Sequence, residues 1–334
     1  MDAFKLYNTP YHTADLSQYK FLITGGAGFI GSNLVEYLVR YQAGHVRVLD
    51  NLSTGYLKNI EPYLHLPNFE FIEGDIRDFD TCKKAVDGMD FVSHQAALGS
   101  VPRSIANPIL TNEVNINGFL NVLNAVKESL GVKRMVFAAS SSTYGDSIAL
   151  PKVEGTEGEP LSPYAVTKAV NEMYAAVFSK VYGLHSIGLR YFNVFGPRQD
   201  TDHAYAAVIP LFCKAFINGV PPVIFGDGHT SRDFTFVENA VQANIKALLL
   251  PVLTQYEVLN MACGAQVSLN EMVLMLQEIS GKDLNPVYRQ ERVGDVKHSK
   301  ASIKKISKVL NYKPIVKFRE GLHMVYNYYS GLIR

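Results

Sequence analysis

Two side chains that could move a proton, Tyr164 and Lys168, lie four positions apart in the sequence. On a helix, this spacing puts both side chains on one face. Ser162 is a favoured N-cap and Pro163 a favoured first helical residue, so a helix is predicted to begin at Pro163. Of the 19 tyrosines in the chain, Tyr164 alone is followed by a lysine at this distance.

The phenol of Tyr164 is a candidate general base. A phenol has a pKa of about 10, which is too high for a base at neutral pH. A nearby ammonium and the positive end of a helix both favour the phenolate, which could then take a proton from a hydroxyl group. Ser140, at the end of an apolar run, could hydrogen-bond the same substrate oxygen. Taken alone, Tyr164 and Lys168 would more often be surface residues; the capped helix start and the serines at 140–142 favour the catalytic interpretation.

A glycine-rich turn follows the first apolar run of the chain. Gly25, Gly28 and Gly31 come after a predicted strand at 21–24 and open a predicted helix over 29–41. The first glycine allows a tight turn, the second lets backbone N–H groups approach a pyrophosphate, and the third lets the helix lie close to the strand. The helix N-terminus then directs free N–H groups at the anion. The pattern predicts a dinucleotide site.

An acidic residue, Asp50, ends the second predicted strand at 46–50. A carboxylate there can bind a ribose diol and repels a 2′-phosphate, so NAD is the predicted cofactor rather than NADP. Oxidised nicotinamide would add a positive charge that favours the Tyr164 phenolate. Asp75, after the third strand, could accept a hydrogen bond from adenine or cap a helix over 79–86.

Strands and helices alternate through the first 190 residues. The predicted strands are 21–24, 46–50, 69–72, 91–95 and 134–139, and the main helices are 29–41, 79–86, 107–129 and 163–182. This alternation predicts an α/β fold with a Rossmann-type, doubly wound parallel sheet. Ligands of such sheets bind at the carboxyl ends of the strands, where all of the residues above would lie.

Composition excludes several classes of protein. The 334 residues carry a net charge of +1, which gives no strong field for nucleic acid or a membrane surface. The three cysteines are far apart, so no metal site is predicted. No signal peptide and no apolar run of about 18 residues is found. A cytoplasmic location is expected.

The chain resembles the extended short-chain dehydrogenase/reductases. Gly25, Gly28 and Gly31, together with Ser140 and the Tyr164–Lys168 pair, carry the resemblance, which covers about residues 21–329. Residues 189–197 and 292–296 are similar to signatures of the nucleotide-sugar branch. Residues 95–104 and 138–145 bring the chain nearest to the bacterial UDP-N-acetylglucosamine 4-epimerases of polysaccharide synthesis.

The resemblance implies a redox-neutral epimerisation with tightly bound NAD. Tyr164 would take the proton of the sugar 4-hydroxyl while C4 gives hydride to NAD; the 4-keto sugar would then turn over and receive hydride on its other face. Lys168 would hold the nicotinamide ribose and lower the pKa of Tyr164. Asn115 would position Lys168 through water or be a neutral helix residue. The implied cofactor contacts are Gly25, Gly28, Phe29, Ile30, Asp50, Asn51, Ser53, Thr54, Gly55, Asp75, Ile76, Gln95, Ala96, Ala97, Asn115, Tyr164, Lys168 and Tyr191.

The resemblance also implies a UDP-sugar site built by the second half of the chain. Asn193 would bind the diphosphate, residues 204–210 the uracil, and Asp295 the uridine ribose, while Arg232 and Arg292 would clamp the phosphates. Phe225 would pack near the base or belong to the core. The implied substrate contacts are Gly99, Ser100, Arg103, Ser141, Ser142, Tyr164, Asn193, Ala207, Val208, Phe225, Arg232, Arg292, Asp295 and Ser299.

Three positions bear on the choice of reaction and sugar. Related dehydratases carry an Asp-Glu pair where this chain has Ser141 and Ser142, and epimerases restricted to unacetylated sugars carry a bulky tyrosine where it has Ser299. UDP-GlcNAc and UDP-GalNAc are therefore favoured. Arg103 could instead serve a C6 carboxylate, which keeps epimerases of UDP-N-acetylglucosaminuronate or UDP-glucuronate, and UDP-glucuronate decarboxylase, as alternatives. A non-catalytic NAD-binding module would have no need of Tyr164, Lys168 and Ser140.

The predicted organisation has three parts. Residues 1–19 form an N-terminal arm, 20–194 plus 234–252 the NAD-binding domain, and 195–233 plus 253–334 a smaller, discontinuous α/β lobe that binds the UDP-sugar. By the family resemblance, the helices near 107–129 and 163–182 pair across a two-fold axis, so a homodimer is expected.

Overall fold

A seven-stranded parallel sheet forms the centre of the molecule. The computed structural model describes residues 6–200, 207–251, 255–291 and 298–333. The strands, in chain order, are β1 (Lys20–Thr24), β2 (His45–Asp50), β3 (Phe69–Glu73), β4 (Phe91–His94), β5 (Arg134–Ser140), β6 (Ser186–Tyr191), β7 (Val194–Phe195), β8 (Val223–Phe225), β9 (Ser231–Arg232), β10 (Thr235–Phe236), β11 (Tyr256–Met261), β12 (Val267–Ser268) and β13 (Val287–Arg289). The central sheet has the order β3-β2-β1-β4-β5-β6-β11, so the strand order reverses between β1 and β4.

Helices cover both faces of this sheet. They are α1 (Phe29–Arg40), α2 (Phe79–Val86), α3 (Val101–Ala106), α4 (Pro108–Asn112), α5 (Phe119–Glu128), α6 (Pro163–Tyr182), α7 (Val208–Asn218), α8 (Val237–Leu248), α9 (Leu269–Ser280), α10 (Lys304–Leu310) and α11 (Phe318–Ile333). Alternate side chains of β1 point to opposite faces: Phe21 and Ile23 pack with α1 and α8, whereas Leu22 packs with α2 and α5. The predicted doubly wound α/β fold is confirmed.

The helix predicted over 107–129 is helical from Pro108 to Glu128 but contains a π-helical segment, and a separate short helix precedes it. The chain forms two short helices, α3 and α4, then a π-helical turn at Glu113–Gly118, and then α5. The side chains of Ser100 and Asn107 each cap a new helix start, and each is followed within two residues by a proline. Proline suits the first turn of a helix, so Pro102 and Pro108 mark the starts of α3 and α4.

The lobe is smaller than predicted. β11 pairs along its whole length with β6 and closes the central sheet, so residues 256–261 belong to the sheet and not to the lobe. The separate core of the lobe is formed mainly by α7, α9 and α11, together with Phe195 and Phe236. As predicted, α8 returns to the sheet.

The described part of the N-terminal arm packs on α1 and α8. Tyr7 is fully buried; its hydroxyl donates to Asn33 Oδ1 (2.6 Å), and its backbone N–H donates to Glu238 Oε1 (2.9 Å). Tyr11 stacks on Tyr37 with ring centres 5.0 Å apart. Tyr7 and Tyr11 of the described part of the arm therefore pack against the sheet domain.

A buried histidine next to the strand-order reversal predicts acid sensitivity. His94 lies on β4, pairs with Thr24 Oγ1 (2.8 Å) and has a pKa lowered to about 3 by burial and by Lys168. The unfolded chain takes up this proton below about pH 6.5, whereas the folded chain does so only near pH 3. We therefore expect His94 to lower the free energy of unfolding by about 1 kcal/mol per pH unit between pH 6.5 and 3.

Denaturant unfolding at pH 7.5 and pH 5.5 tests this expectation. His94→Asn should have a smaller loss of stability on acidification than the parent, and the control His229→Asn, at an exposed position, should behave like the parent. An unchanged pH dependence in His94→Asn would contradict the expectation.

Candidate active site

A cavity of about 550 Å³, here called the dinucleotide cleft, lies at the carboxyl ends of β1, β2, β4, β5 and β6. This edge is where a doubly wound sheet binds its ligand, next to the reversal between β1 and β4. Most of the residues predicted from the sequence line it: Gly25, Gly28, Phe29, Ile30, Asp50, Asn51, Ser53, Thr54, Gly55, Ile76, Gln95, Ala96, Ala97, Gly99, Ser100, Arg103, Ser140, Tyr164, Lys168, Tyr191, Asn193 and Ala207.

The glycine turn has the shape that a pyrophosphate needs. Gly25 has φ +68°, and a Cβ added there would lie 2.6 Å from the backbone nitrogen of Ala96. A Cβ at Gly31 would lie 2.1 Å from the carbonyl oxygen of Gly25. Any side chain at these two positions would push the turn away from β4 or from α1, so the cradle depends on glycine.

Asp50 also has a structural role in the glycine turn, which the sequence did not reveal. Its carboxylate accepts hydrogen bonds from the backbone N–H groups of Ala27 and Leu52, both at 2.9 Å, and so ties the glycine turn to β2. Burial raises the pKa of Asp50, and these backbone donors oppose the rise. Its binding of a ribose diol stays a prediction.

Asp75 is held by Arg77 rather than directed into the cleft. The carboxylate pairs with Arg77 at 2.8 Å and accepts from Asn51 Nδ2 at 2.8 Å, and the hydrogen bonds with Arg77 lower its pKa to about 2. The alternative that Asp75 caps the helix over 79–86 is wrong, because Asp78 is the N-cap and accepts from Asp80 N. The cap lies closer to the helix than the sequence interpretation placed it.

The start of α6 brings Tyr164 and Lys168 to the end of β5. Ser162 caps the helix by accepting from Ala165 N at 3.2 Å, and Pro163 is its first residue, as predicted. Lys168 Nζ donates to the carbonyl oxygen of Ala138 at 2.8 Å and lies 5.9 Å from the centre of the Tyr164 ring. Both side chains line the dinucleotide cleft.

Ser140 is oriented by its neighbour Ser142. Its Oγ accepts from the backbone N–H of Ser142 (3.1 Å) and from Ser142 Oγ (2.9 Å). The hydroxyl hydrogen of Ser140 is thus directed away from Ser142, and a hydrogen bond between Ser140 and Tyr164 lowers the pKa of that phenol. Ser141 and Ser142, predicted as substrate contacts, instead form the turn after β5 and are absent from the cleft wall.

Burial acts on the ionisation of both members of the pair. It raises the pKa of Tyr164, with the Ser140 hydrogen bond opposing it, and it lowers the pKa of Lys168 to about 8, with Glu172 opposing it. The protein alone therefore favours the phenol, and the phenolate expected with oxidised nicotinamide beside it stays a prediction. The positive charge of an oxidised nicotinamide is the further contribution that this chemistry needs.

The side-chain amide of Asn115 is hydrogen-bonded to the backbone of Leu98 and to the side chain of Thr167. Its Oδ1 accepts from Leu98 N (2.8 Å), and its Nδ2 donates to Leu98 O (3.2 Å) and to Thr167 Oγ1 (3.1 Å). The side chain fixes the loop after β4 against α6. The structure gives it no direct contact with Lys168, and its predicted role through water stays a prediction.

A second cavity of about 550 Å³, here called the lobe cavity, adjoins the dinucleotide cleft. Asn193, Val194 and Ala207 line both cavities. Of the predicted substrate residues, Val208, Phe225 and Arg232 line the lobe cavity, whose wall is otherwise mostly apolar. A flat base fits such a wall, and the guanidinium suits a phosphate.

Comparison with known proteins identifies the family. Residues 21–262 match the family model described as Epimerase, the NAD dependent epimerase/dehydratase family. This chain belongs to that family. The resemblance to the extended short-chain dehydrogenase/reductases is thereby confirmed.

Relatives of known structure or name agree with this assignment. A UDP-N-acetylglucosamine 4-epimerase from Methanobrevibacter ruminantium is 38% identical, with a TM-score of 0.89 over 94% of this chain and 99% of that one. A UDP-glucuronic acid 4-epimerase from Bacillus cereus is 32% identical, with a TM-score of 0.86 over 94% and 99%. A UDP-glucose 4-epimerase from Mycolicibacterium smegmatis is 34% identical over 90% of this chain and 95% of its own.

Membership of the NAD-dependent epimerase/dehydratase family makes NAD the cofactor of the dinucleotide cleft. The glycine cradle, the carboxylate of Asp50 and the buried ammonium of Lys168 fit its pyrophosphate, adenosine ribose and nicotinamide ribose. Among the described residues, no group of three or more His, Cys, Asp or Glu side chains could hold a metal ion. None of the described helices is both long and apolar enough to cross a membrane.

The structure gives no support to the roles predicted for Arg292, Asp295 and Ser299. Arg292 and Asp295, with residues 204–206, lie outside the described residues. Ser299 is described: its backbone N–H donates to Ser231 O at 3.0 Å, next to Arg232, but its side chain is absent from both cavity walls. The roles given to these residues stay predictions.

Proposed function

We propose that this member of the family is a 4-epimerase that interconverts UDP-GlcNAc and UDP-GalNAc with bound NAD. The observation that carries the proposal is the convergence of Ser140, Tyr164 and Lys168 in a cleft that adjoins a second, mostly apolar cavity with an arginine. A sugar bound through its UDP group in the lobe cavity would extend past Asn193 toward Tyr164. The related UDP-sugar 4-epimerases support this reaction class.

In the proposed mechanism, Tyr164 takes the proton from the sugar 4-hydroxyl. Ser140 holds the same oxygen by a hydrogen bond, and Lys168 keeps positive charge near the phenolate. NAD, which the glycine turn, Asp50 and Lys168 would hold in the dinucleotide cleft, would supply the reversible acceptance of hydride from C4. Tyr164 then gives its proton back to the C4 oxygen on the other side of the sugar.

The choice of an epimerase over a dehydratase rests on the turn after β5. Loss of water needs an acid and a base at that place, and Ser141 and Ser142 can serve as neither at neutral pH. The N-acetylated substrate is favoured by the small side chain at Ser299 and by the related UDP-N-acetylglucosamine 4-epimerase.

Product analysis without added NAD tests the proposed function. Purified protein is incubated separately with UDP-GlcNAc, UDP-glucose and UDP-glucuronate, and the products are separated by chromatography. Formation of UDP-GalNAc as the fastest reaction would support both the substrate and a retained cofactor. Conversion of UDP-glucuronate alone would overturn the proposed substrate.

A UDP-glucuronate 4-epimerase is the second candidate. Arg103 lines the dinucleotide cleft on the helix that follows Ser100, where a guanidinium could pair with a C6 carboxylate. A related epimerase from Bacillus cereus was solved with UDP-glucuronic acid and NAD.

A bulky side chain at position 299 should discriminate between sugars. Ser299→Tyr is expected to reduce kcat/KM for UDP-GlcNAc about 10- to 100-fold, because the ring would occupy the room proposed for the N-acetyl group. Activity on UDP-galactose should be spared, and Ser299→Ala should behave like the parent with both sugars. Equal losses on acetylated and unacetylated sugars would contradict the steric role.

We further propose that the protein is a homodimer formed through α6 and the short helices before it. Val166, Met173, Val177 and Val181 are 45–66% exposed along one side of α6, and Ile109 on α4 is 73% exposed. An apolar stripe of this length is unusual on the surface of a monomer. Isologous pairing of two copies would cover it.

A charge in this stripe should separate the two copies. Met173→Glu is expected to shift the mass measured by light scattering from twice the 37.1 kDa of one chain toward that of one chain, because burying a lone carboxylate at the interface is costly. The control Leu274→Glu, at a similarly exposed position on α9, should leave the mass unchanged. A parent protein of monomeric mass would refute the dimer.

A further inference from the structure

A closed ring of three hydrogen bonds lies at the floor of the dinucleotide cleft. The Tyr191 hydroxyl donates to Gln95 Oε1 (2.9 Å), Gln95 Nε2 donates to Asn244 Oδ1 (3.1 Å), and Asn244 Nδ2 donates to the Tyr191 hydroxyl (2.8 Å). Each group gives one hydrogen bond and receives one in the same sense around the ring. This arrangement fixes the rotation of the phenol hydroxyl and the orientation of both amides.

The remaining hydrogens of the two amides are also used. Asn244 Nδ2 donates to the carbonyl oxygen of Ala240 (2.8 Å), and Gln95 Nε2 donates to Ser93 Oγ (2.9 Å). Asn244 and Ser93 are completely buried. Loss of one member would leave buried polar groups without partners, so the ring holds Tyr191 in a single position.

Tyr191 occupies a place where its position matters. It ends β6, directly opposite Ser140 in the register with β5, and both residues line the cleft beside Tyr164. Gln95 follows β4 and lines the cleft as well. Asn244 lies on α8 and does not line the cleft. It is connected to the cleft by its hydrogen bonds with Gln95 and Tyr191.

We propose that Asn244 and Gln95 are positioning residues that act through Tyr191 on the nicotinamide ring of bound NAD. The ring of hydrogen bonds holds the tyrosine side chain in the cleft floor next to Ser140, where it would support the nicotinamide. The lobe cavity, which would bind the UDP group, shares no residue with this network. The expected change of kcat rests on the proposed function. The expected change in the fluorescence of the bound dinucleotide requires only that the protein binds NAD, the cofactor of its family.

Two substitutions and their combination test the proposal. Asn244→Leu, Tyr191→Phe and the double variant are compared for kcat, for KM, and for the fluorescence emission of the dinucleotide after chemical reduction with borohydride. Each single variant should shift the emission and lower kcat about 10- to 100-fold, with KM within about twofold of the parent. The double variant should be no worse than the poorer single variant, because both break one ring.

Asn239→Leu is the matched control. Asn239 is equally buried on the same helix, but its amide binds the backbone of Ile315 and Val316 at the lobe. This variant should lose stability without any change of emission. Should Asn244→Leu fail to fold, Gln95→Leu replaces it, and the same comparison is made with Tyr191→Phe and the corresponding double variant.

Two results would overturn the proposal: additive losses of kcat in the double variant, or an emission unchanged from that of the parent in every ring variant. If the parent protein holds the dinucleotide but converts no UDP-sugar, the proposed function fails while the emission measurement still decides the role of the ring.

Discussion

Tyr164→Phe is expected to lower kcat for UDP-GlcNAc by about three to four orders of magnitude, because the substitution removes only the oxygen that would take the 4-hydroxyl proton. The ring remains to fill the site, so the fold and the bound cofactor should be retained. The effect is expected in kcat rather than in KM, since the UDP group would bind in the lobe cavity. Steady-state rates by product chromatography measure it.

Tyr312→Phe is the matched control for the loss of a buried phenol oxygen. Tyr312 is fully buried, donates to the carbonyl oxygen of Ala262 at 3.0 Å, and lines neither cavity. Its loss should cost about 1 kcal/mol of stability and leave kcat unchanged. If Tyr164→Phe interconverted the sugars at the rate of the parent, Tyr164 would have no role as the base.

Lys168→Met is expected to produce the second large loss of activity. Methionine fills a similar apolar space but removes the buried ammonium that donates to Ala138 O and lies 5.9 Å from the Tyr164 ring centre. We expect kcat to fall about 100-fold or more, and bound NAD to be lost on dialysis. Because a nearby positive charge favours the phenolate, the rise of activity with pH should move to higher pH in the variant.

The control for this variant is Lys84→Met, which removes an exposed lysine on α2. It should retain the rate, the cofactor and the pH profile of the parent. A Lys168→Met protein with the pH profile of the parent would show that the ammonium does not act on the ionisation of Tyr164.

The sequence predicted the structure correctly where neighbouring residues alone determine it. The start of α6 follows from Ser162 and Pro163, because capping depends on neighbours in the sequence, and this start aligned Tyr164 with Lys168. The glycine turn was predictable for the same reason: φ +68° at Gly25 excludes most other residues.

Contacts between distant segments left no such signal. Asn244 reads as an ordinary polar residue of an amphipathic helix, and only its meeting with Gln95 and Tyr191 gives it a position in the cleft floor. In the same way, β11 joins the sheet by pairing with β6, which the composition of residues 256–261 does not reveal. The sequence also did not reveal that burial raises the pKa of Tyr164, because desolvation depends on the whole fold.

The most direct test of the central claim follows the hydrogen at C4 of the sugar. UDP-GlcNAc carrying deuterium at C4 is incubated with the purified protein in ordinary water, without added NAD, and the product is analysed by mass spectrometry and NMR. Our account predicts UDP-GalNAc that keeps the deuterium at C4, because the same hydride leaves and returns within one bound complex. A product with hydrogen from water at C4 would contradict it.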